Sequence, residues 1–147
     1  MAFGVTCALI ALYFLPHSAV QNMVLFVVAA FVAATIPDLD LTIPFMKHRG
    51  ISHSLVGLAT VTIICTAIAV YLRDNTAMWF FAGFPIGYFS HLVSDSFTEH
   101  RVAWLRPFDN KPYGIPIFNT SNKLIQGIMV VGLWIFNASV FYLLAKA

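Results

Sequence analysis

Five stretches of the chain are almost unbroken apolar sequence, and the polar residues gather between them. The runs are Phe3–Leu15, Val20–Ile36, Leu55–Leu72, Met78 to about Phe97, and Leu124–Ala145. The first stops at Pro16, the second at Pro37 and the third at Arg73-Asp74-Asn75; the fourth carries His91 and Asp95. A membrane-spanning helix needs ~20 residues, with a range of about 17–25. The last three runs meet that length, the second borders on it, and the first is short. The pattern predicts an all-α integral membrane protein: one membrane domain over residues 1–147, four to five transmembrane helices, and its polar groups at one membrane face. No basic segment precedes the first run, which therefore reads as a membrane segment and not as a cleavable signal peptide.

Composition agrees. Hydrophobic residues make up 60% and charged residues 10%, with mean hydropathy +0.84, where soluble domains run near about 45–50% and 25%. The net charge is +2, from 8 basic and 6 acidic side chains, which excludes a nucleic-acid-binding face. The expected surroundings are a lipid bilayer. Cys7 and Cys65 lie inside apolar runs and read as core residues, not as a disulfide or thiolate zinc site.

With five spans, every ionisable residue is assigned to a side. Lys47, Arg49, Arg101, Arg106, Lys111 and Lys123 share the side of the N-terminus; Arg73 and Lys146 lie opposite. That distribution predicts a cytoplasmic N-terminus. The same side receives Asp38 and Asp40 after the second run, His48 and His53 before the third, and His91 and Asp95 near the end of the fourth. The last four come together whenever runs three and four form an antiparallel hairpin.

Three motifs carry these residues: Pro37-Asp38-Leu39-Asp40, His48-Arg49-Gly50-Ile51-Ser52-His53, and Ser90-His91-Leu92-Val93-Ser94-Asp95. His91 and Asp95 are four apart and share one helix face. Asp38 and Asp40, two apart, point the same way if the chain between them is extended. Mixed imidazoles and carboxylates suit zinc, manganese or iron better than calcium or magnesium. Singly, each residue is an ordinary helix cap, ion pair or solvated group, and together they could simply glue helices. An ionisable group inside a span is costly, however, and marks function by default. Arg49, between two candidate ligands, either binds a phosphate bidentately or pairs with Asp38 or Asp40.

The three motifs in order resemble the YdjM-like family of small inner-membrane proteins, described as metal-dependent hydrolases. The likeness runs over about Ile36–Phe118. Its pattern is met by Pro37-Asp38-Leu39-Asp40, by His48–Ser54, by Gly87-Tyr88-Phe89-Ser90-His91 through Asp95 and Thr98, and by Leu105-Arg106-Pro107-Phe108. The resemblance implies Asp38, Asp40, His48, His53, His91 and Asp95 as metal ligands or catalytic groups, in a prokaryotic inner membrane. It also suggests a distant relation to zinc-dependent phospholipase C, hence an all-helical fold and phosphoester hydrolysis.

The expected function is therefore a membrane-embedded hydrolase of a lipid or lipid-linked phosphoester. Its expected cofactor is a divalent metal, zinc before manganese or iron, with Asp40, His53 and Arg49 as catalytic groups. Arg101 or Arg106 would add charge for a phosphate. The alternatives are a divalent-metal transporter or sensor using the same ligands, and a non-enzymatic membrane adaptor. The stretch Thr98–Asn122 mixes aromatic and aliphatic residues with prolines, and reads as an interfacial lid or lipid-facing rim over the site.

Overall fold

A computed structural model describes residues 2–14, 19–41, 50–99, 101–117 and 123–146. Five α-helices account for most of them: α1 (Ala2–Phe14), α2 (Val20–Ala33), α3 (Leu55–Leu72), α4 (Asn75–Ser96) and α5 (Lys123–Lys146). Two short 3-10 segments, Ile36–Leu41 and Ile51–His53, precede α3. The described residues contain no strand, only one isolated antiparallel bridge between Val102 and Tyr113.

The α3–α4 hairpin turns tightly. Arg73 takes a left-handed conformation (φ 52°) that ends α3. Asp74 then caps α4, its Oδ2 accepting from the Ala77 amide at 2.7 Å. The turn sends α4 back along α3. His53, just before α3, and His91–Asp95, in the last turns of α4, therefore meet at one end.

Helix α4 is the centre of the bundle, packed against α2, α3 and α1. Its contact with α2 is close because both partners are small. A Cβ added at Gly87 would lie 2.7 Å from Ala30 Cα and would run into the Ala30 carbonyl. Gly83 stands in the same relation to Phe26 and Ala29 one turn earlier. On the α2 side, Ala29, Ala30 and Ala33 are fully buried. Small residues that let backbones touch are the usual basis of helix association in lipid, where apolar burial gives no drive. Helix α1 covers this pair with Val5, Ala8, Leu9 and Leu12, packed on Met23 and Phe26 of α2. Asn137 of α5 is buried against α1, accepting from Thr6 Oγ1 at 2.9 Å and donating to the Ala2 carbonyl at 3.0 Å.

Two described segments are long and apolar enough to cross a membrane, Val20–Asp40 and Leu55–Leu72, where four to five were expected. Helix α1 is described over 13 residues, about 20 Å of rise against ~30 Å of hydrocarbon. Helix α4 has the length, at 22 residues, but Ser90, His91, Ser94 and Asp95 lower its hydropathy. Helix α5 runs over 24 residues.

Candidate metal centre

The 3-10 segment Ile36–Leu41 meets the end of the α3–α4 hairpin and brings Asp38 to it. Asp38 Oδ1 lies 3.4 Å from His53 Nε2 and 3.5 Å from His91 Nε2. The two Nε2 atoms are 3.3 Å apart. Asp95 Oδ2 stands 3.8 Å from each of them. His53 is almost fully buried, His91 and Asp95 are largely so, and Asp38 is half-exposed.

The other ring nitrogens fix how the imidazoles are protonated. His91 Nδ1 lies 2.8 Å from the Ala34 carbonyl oxygen. A carbonyl only accepts, so this Nδ1 carries the hydrogen, and in the neutral ring Nε2 is left with its lone pair. On His53, Nδ1 lies 3.1 Å from Ser52 Oγ. That hydroxyl donates to Asp40 Oδ2 at 2.7 Å, so it accepts from Nδ1–H. Burial pushes the His53 pKa below its ordinary value, with the nearby His91 adding to the effect and Asp40, Asp95 and Asp38 opposing it. With both rings in the neutral form, these tautomers turn lone pairs toward each other and toward two carboxylates.

Four acceptor atoms converge, and none of the four can donate to another. Bare, the set repels itself; a cation at its centre makes every atom of it a ligand. Ligand bonds of about 2.0–2.2 Å arranged as a tetrahedron put neighbouring donors about 3.3–3.6 Å apart. Asp38, His53 and His91 have that spacing, and Asp95 is a few tenths of an ångström outside it. A regular magnesium octahedron would need about 2.9 Å between neighbours and would favour oxygen over imidazole.

Asp40 occupies a different place from the one expected of a ligand. Along a 3-10 helix, with about three residues per turn, positions two apart point away from each other. The chain over Asp38–Asp40 is such a helix, not the extended segment that would turn both the same way. Asp38 therefore faces the Nε2 atoms, while Asp40, buried, stands 3.4 Å from Nδ1 on the far edge of His53. His53, expected as a catalytic group, has its two nitrogens turned to the donor cluster and to this Ser52–Asp40 relay. His48 and Arg49 lie outside the described residues. Glu99 and Arg101 are exposed.

Two contributors were missed in the sequence. Ser52 bridges Asp40 and His53, and its place beside His53 in the second motif was the available signal. Tyr88, buried, donates its hydroxyl to the Ser52 carbonyl and props the segment from α4. Gly57 makes room for that contact: a Cβ there would lie 2.5 Å from the Tyr88 oxygen.

A cavity of about 440 Å³ opens against the donors. Asp38, His91 and Asp95 form one wall; Phe3, Gly4, Ala34, Thr35, Leu39, Ser90 and Ser94 form the rest. Neither Arg101 nor Arg106 is among these lining residues, and none comes from 98–117, so the stretch expected as a lid does not, in its described part, cover this cavity.

No curated protein and no solved structure matches the chain. The whole chain does match one family, described as YdjM inner membrane protein, over residues 1–146. The composition, the two spans and the ordered motifs agree with that match: the chain belongs to the YdjM inner membrane protein family.

Proposed function

We propose that this inner membrane protein is a metal-dependent hydrolase that cleaves a phosphoester of a lipid or lipid-linked substrate. The observation that carries the reading is the convergence of His53 Nε2, His91 Nε2, Asp38 Oδ1 and Asp95 Oδ2 with no donor among them. Imidazole nitrogens with carboxylates at tetrahedral spacing are the donor set of zinc. Asp38, His53 and His91 would hold the ion, three protein ligands as in catalytic zinc sites, with Asp95 standing beside them. A divalent ion bound there supplies Lewis-acid assistance to a phosphoryl oxygen and makes a water more acidic. The Ala34 carbonyl and the Ser52–Asp40 relay keep each Nε2 aimed at the ion. Asp95, on the cavity wall and not required as a ligand, would be the carboxylate within reach of a water's proton. The cavity, part polar and part apolar, is of a size that takes a polar head group with the start of its chain.

We also infer that α1 to α5 all lie in the membrane domain, with the N-terminus and the donor cluster toward the cytoplasm. Six of the eight Lys and Arg residues fall on that side in a five-span arrangement. A topology reporter fused after Ala147 should then read as external, and a cytoplasmic reading would require an even number of spans.

The test is elemental analysis of the purified protein, followed by hydrolysis of phospholipid and polyprenyl-phosphate substrates with added zinc or manganese. His91→Ala and Asp38→Ala should lose both metal and turnover. Arg73→Ala, at the far end of α3, should lose neither. Metal-loaded protein that cleaves no lipid phosphoester, but carries the ion across a vesicle membrane, would overturn the reading in favour of transport.

A further inference from the structure

The segment after α4 is held firmly, yet it keeps its large apolar side chains outside. Val102 and Tyr113 exchange backbone hydrogen bonds at 3.2 and 2.8 Å, closing the segment into a loop. Its base is tied to both helices of the hairpin. The Leu55 amide, at the first residue of α3, donates to the Trp104 carbonyl at 2.9 Å. Trp104 Nε1 donates to Ser96 Oγ at 3.0 Å, and the Ile117 amide to the Phe97 carbonyl at 3.0 Å. Val102 is buried against Tyr88 and Leu92. Gly114 passes against the Ser96 carbonyl with a positive φ of 150°, where a Cβ would collide.

Further hydrogen bonds cross the loop itself. Phe108 and Asp109 amides return to the Leu105 carbonyl, and Asp109 accepts from the Lys111 amide and the Tyr113 hydroxyl. The turn so fixed presents Phe108 at 89% exposure, with Ile115 at 67%, Ile117 at 62% and Leu105 at 45%. A set of this kind, held outward by a bonded frame, marks an interaction surface.

Its surroundings indicate the partner. Helix α3 buries only Cys65 and Ala69. Its exposed Ile63, Ile64, Val70 and Tyr71 face acyl chains in a membrane protein. The loop is bonded to the first residue of that helix, so it lies at the α3 N-terminal end, where Leu55 and Val56 are also exposed. Arg101 and Lys111, both exposed, flank the tip as cations do beside an anionic leaflet.

We propose that the loop Val102–Tyr113, with Phe108 at its tip, inserts into the head-group and acyl boundary of the leaflet that meets the α3 N-terminus. It is an anchor that sets the depth of this end of the hairpin. The partner is the lipid surface itself, so the proposal stands apart from any catalytic activity.

The test places a bimane label at Phe108→Cys in a Cys7→Ala, Cys65→Ala background. The protein is reconstituted into phosphatidylcholine–phosphatidylglycerol vesicles. Brominated lipid should quench the label at 108 about threefold or more above the same label at Asn110→Cys, and aqueous iodide should do the reverse. Phe108→Trp, which keeps the cysteines, should show the same as added tryptophan emission quenched by brominated lipid. Iodide quenching at 108 equal to that at 110, with no effect of bromine, would overturn the proposal. So would protection from both quenchers with 108–108 cross-linking, which would assign the surface to a second copy. Neither readout depends on metal or hydrolysis, so failure here and failure of the hydrolase reading are separate results.

Discussion

Gly87→Ala tests whether helix packing sets the donor geometry. The added Cβ would lie 2.7 Å from Ala30 Cα and closer to its carbonyl oxygen, where carbon atoms in contact normally stand about 3.5–4.0 Å apart. Helices α2 and α4 must therefore part by about 1 Å. His91 is one turn along α4 from Gly87, and Ala34 is one turn along from Ala30. Parting the pair stretches the 2.8 Å bond between His91 Nδ1 and the Ala34 carbonyl beyond hydrogen-bond length. It also stretches the 3.5 Å spacing between His91 Nε2 and Asp38 Oδ1, where metal sites tolerate about 0.2 Å. The expected results are about 1–3 kcal/mol of lost stability and metal affinity weakened at least 10–100-fold. The assay is zinc titration against a competing chelator in detergent, with a thermal melt alongside. Gly127→Ala, which meets no atom within 4 Å, is the control: it should leave zinc affinity unchanged and should not lower stability, since alanine favours a helix over glycine. If Gly87→Ala binds zinc as tightly as the parent, the packing argument is refuted.

Ser52→Ala removes the bridge between His53 Nδ1 and Asp40, and zinc affinity should fall about 10–100-fold with the fold intact; unchanged affinity in the same titration would show that the ring needs no such partner. The depressed His53 pKa has a signed consequence for the metal-free protein. Below an unfolded value of about 6.5 the unfolded chain takes up a proton that the folded one resists, so this contribution to stability falls as pH drops toward the folded pKa and is constant above that window. Melts from pH 8 to 5 should show a shallower loss on acidification for His53→Gln than for the parent, and a steeper loss would contradict the assignment. Asn137→Ala breaks the α1–α5 hydrogen bonds and should cost about 0.6–2 kcal/mol; since α1 contributes only cavity wall, zinc titration should be unaffected.

The hydrolase reading and the loop anchor concern the same end of the α3–α4 hairpin. The donors sit where α4 finishes, and the loop that follows is bonded to α3 and α4 there. With the loop inserted as proposed, a site at that position would meet the head-group region of one leaflet, where the phosphoester of a lipid lies.

Much of this was determined by the sequence alone. The apolar runs bounded by Pro37 and by Arg73-Asp74-Asn75 form the two described helices long and apolar enough to cross a membrane, and lipid leaves a backbone no other way than helix to satisfy its polar groups in such a segment. A short polar break, Arg73–Ala77, between runs of matched length makes a hairpin, which was enough to bring His53, His91 and Asp95 to one end. The helical spacing of His91 and Asp95 set them on one face. What the sequence left open was the role of each donor. Asp38 and Asp40 look alike as neighbours in a motif, and only the 3-10 turn of Ile36–Leu41 separates them, one toward the Nε2 atoms and one behind the ring. The partners that orient the imidazoles, the Ala34 carbonyl and the Ser52 hydroxyl, are a backbone atom on α2 and a side chain with no ligand character of its own. Their importance comes from the α2–α4 approach that Gly83 and Gly87 permit, a contact between segments some 57 residues apart. A pattern read along the chain identifies which residues can bind; the close contact of two helices decides which atoms face one another.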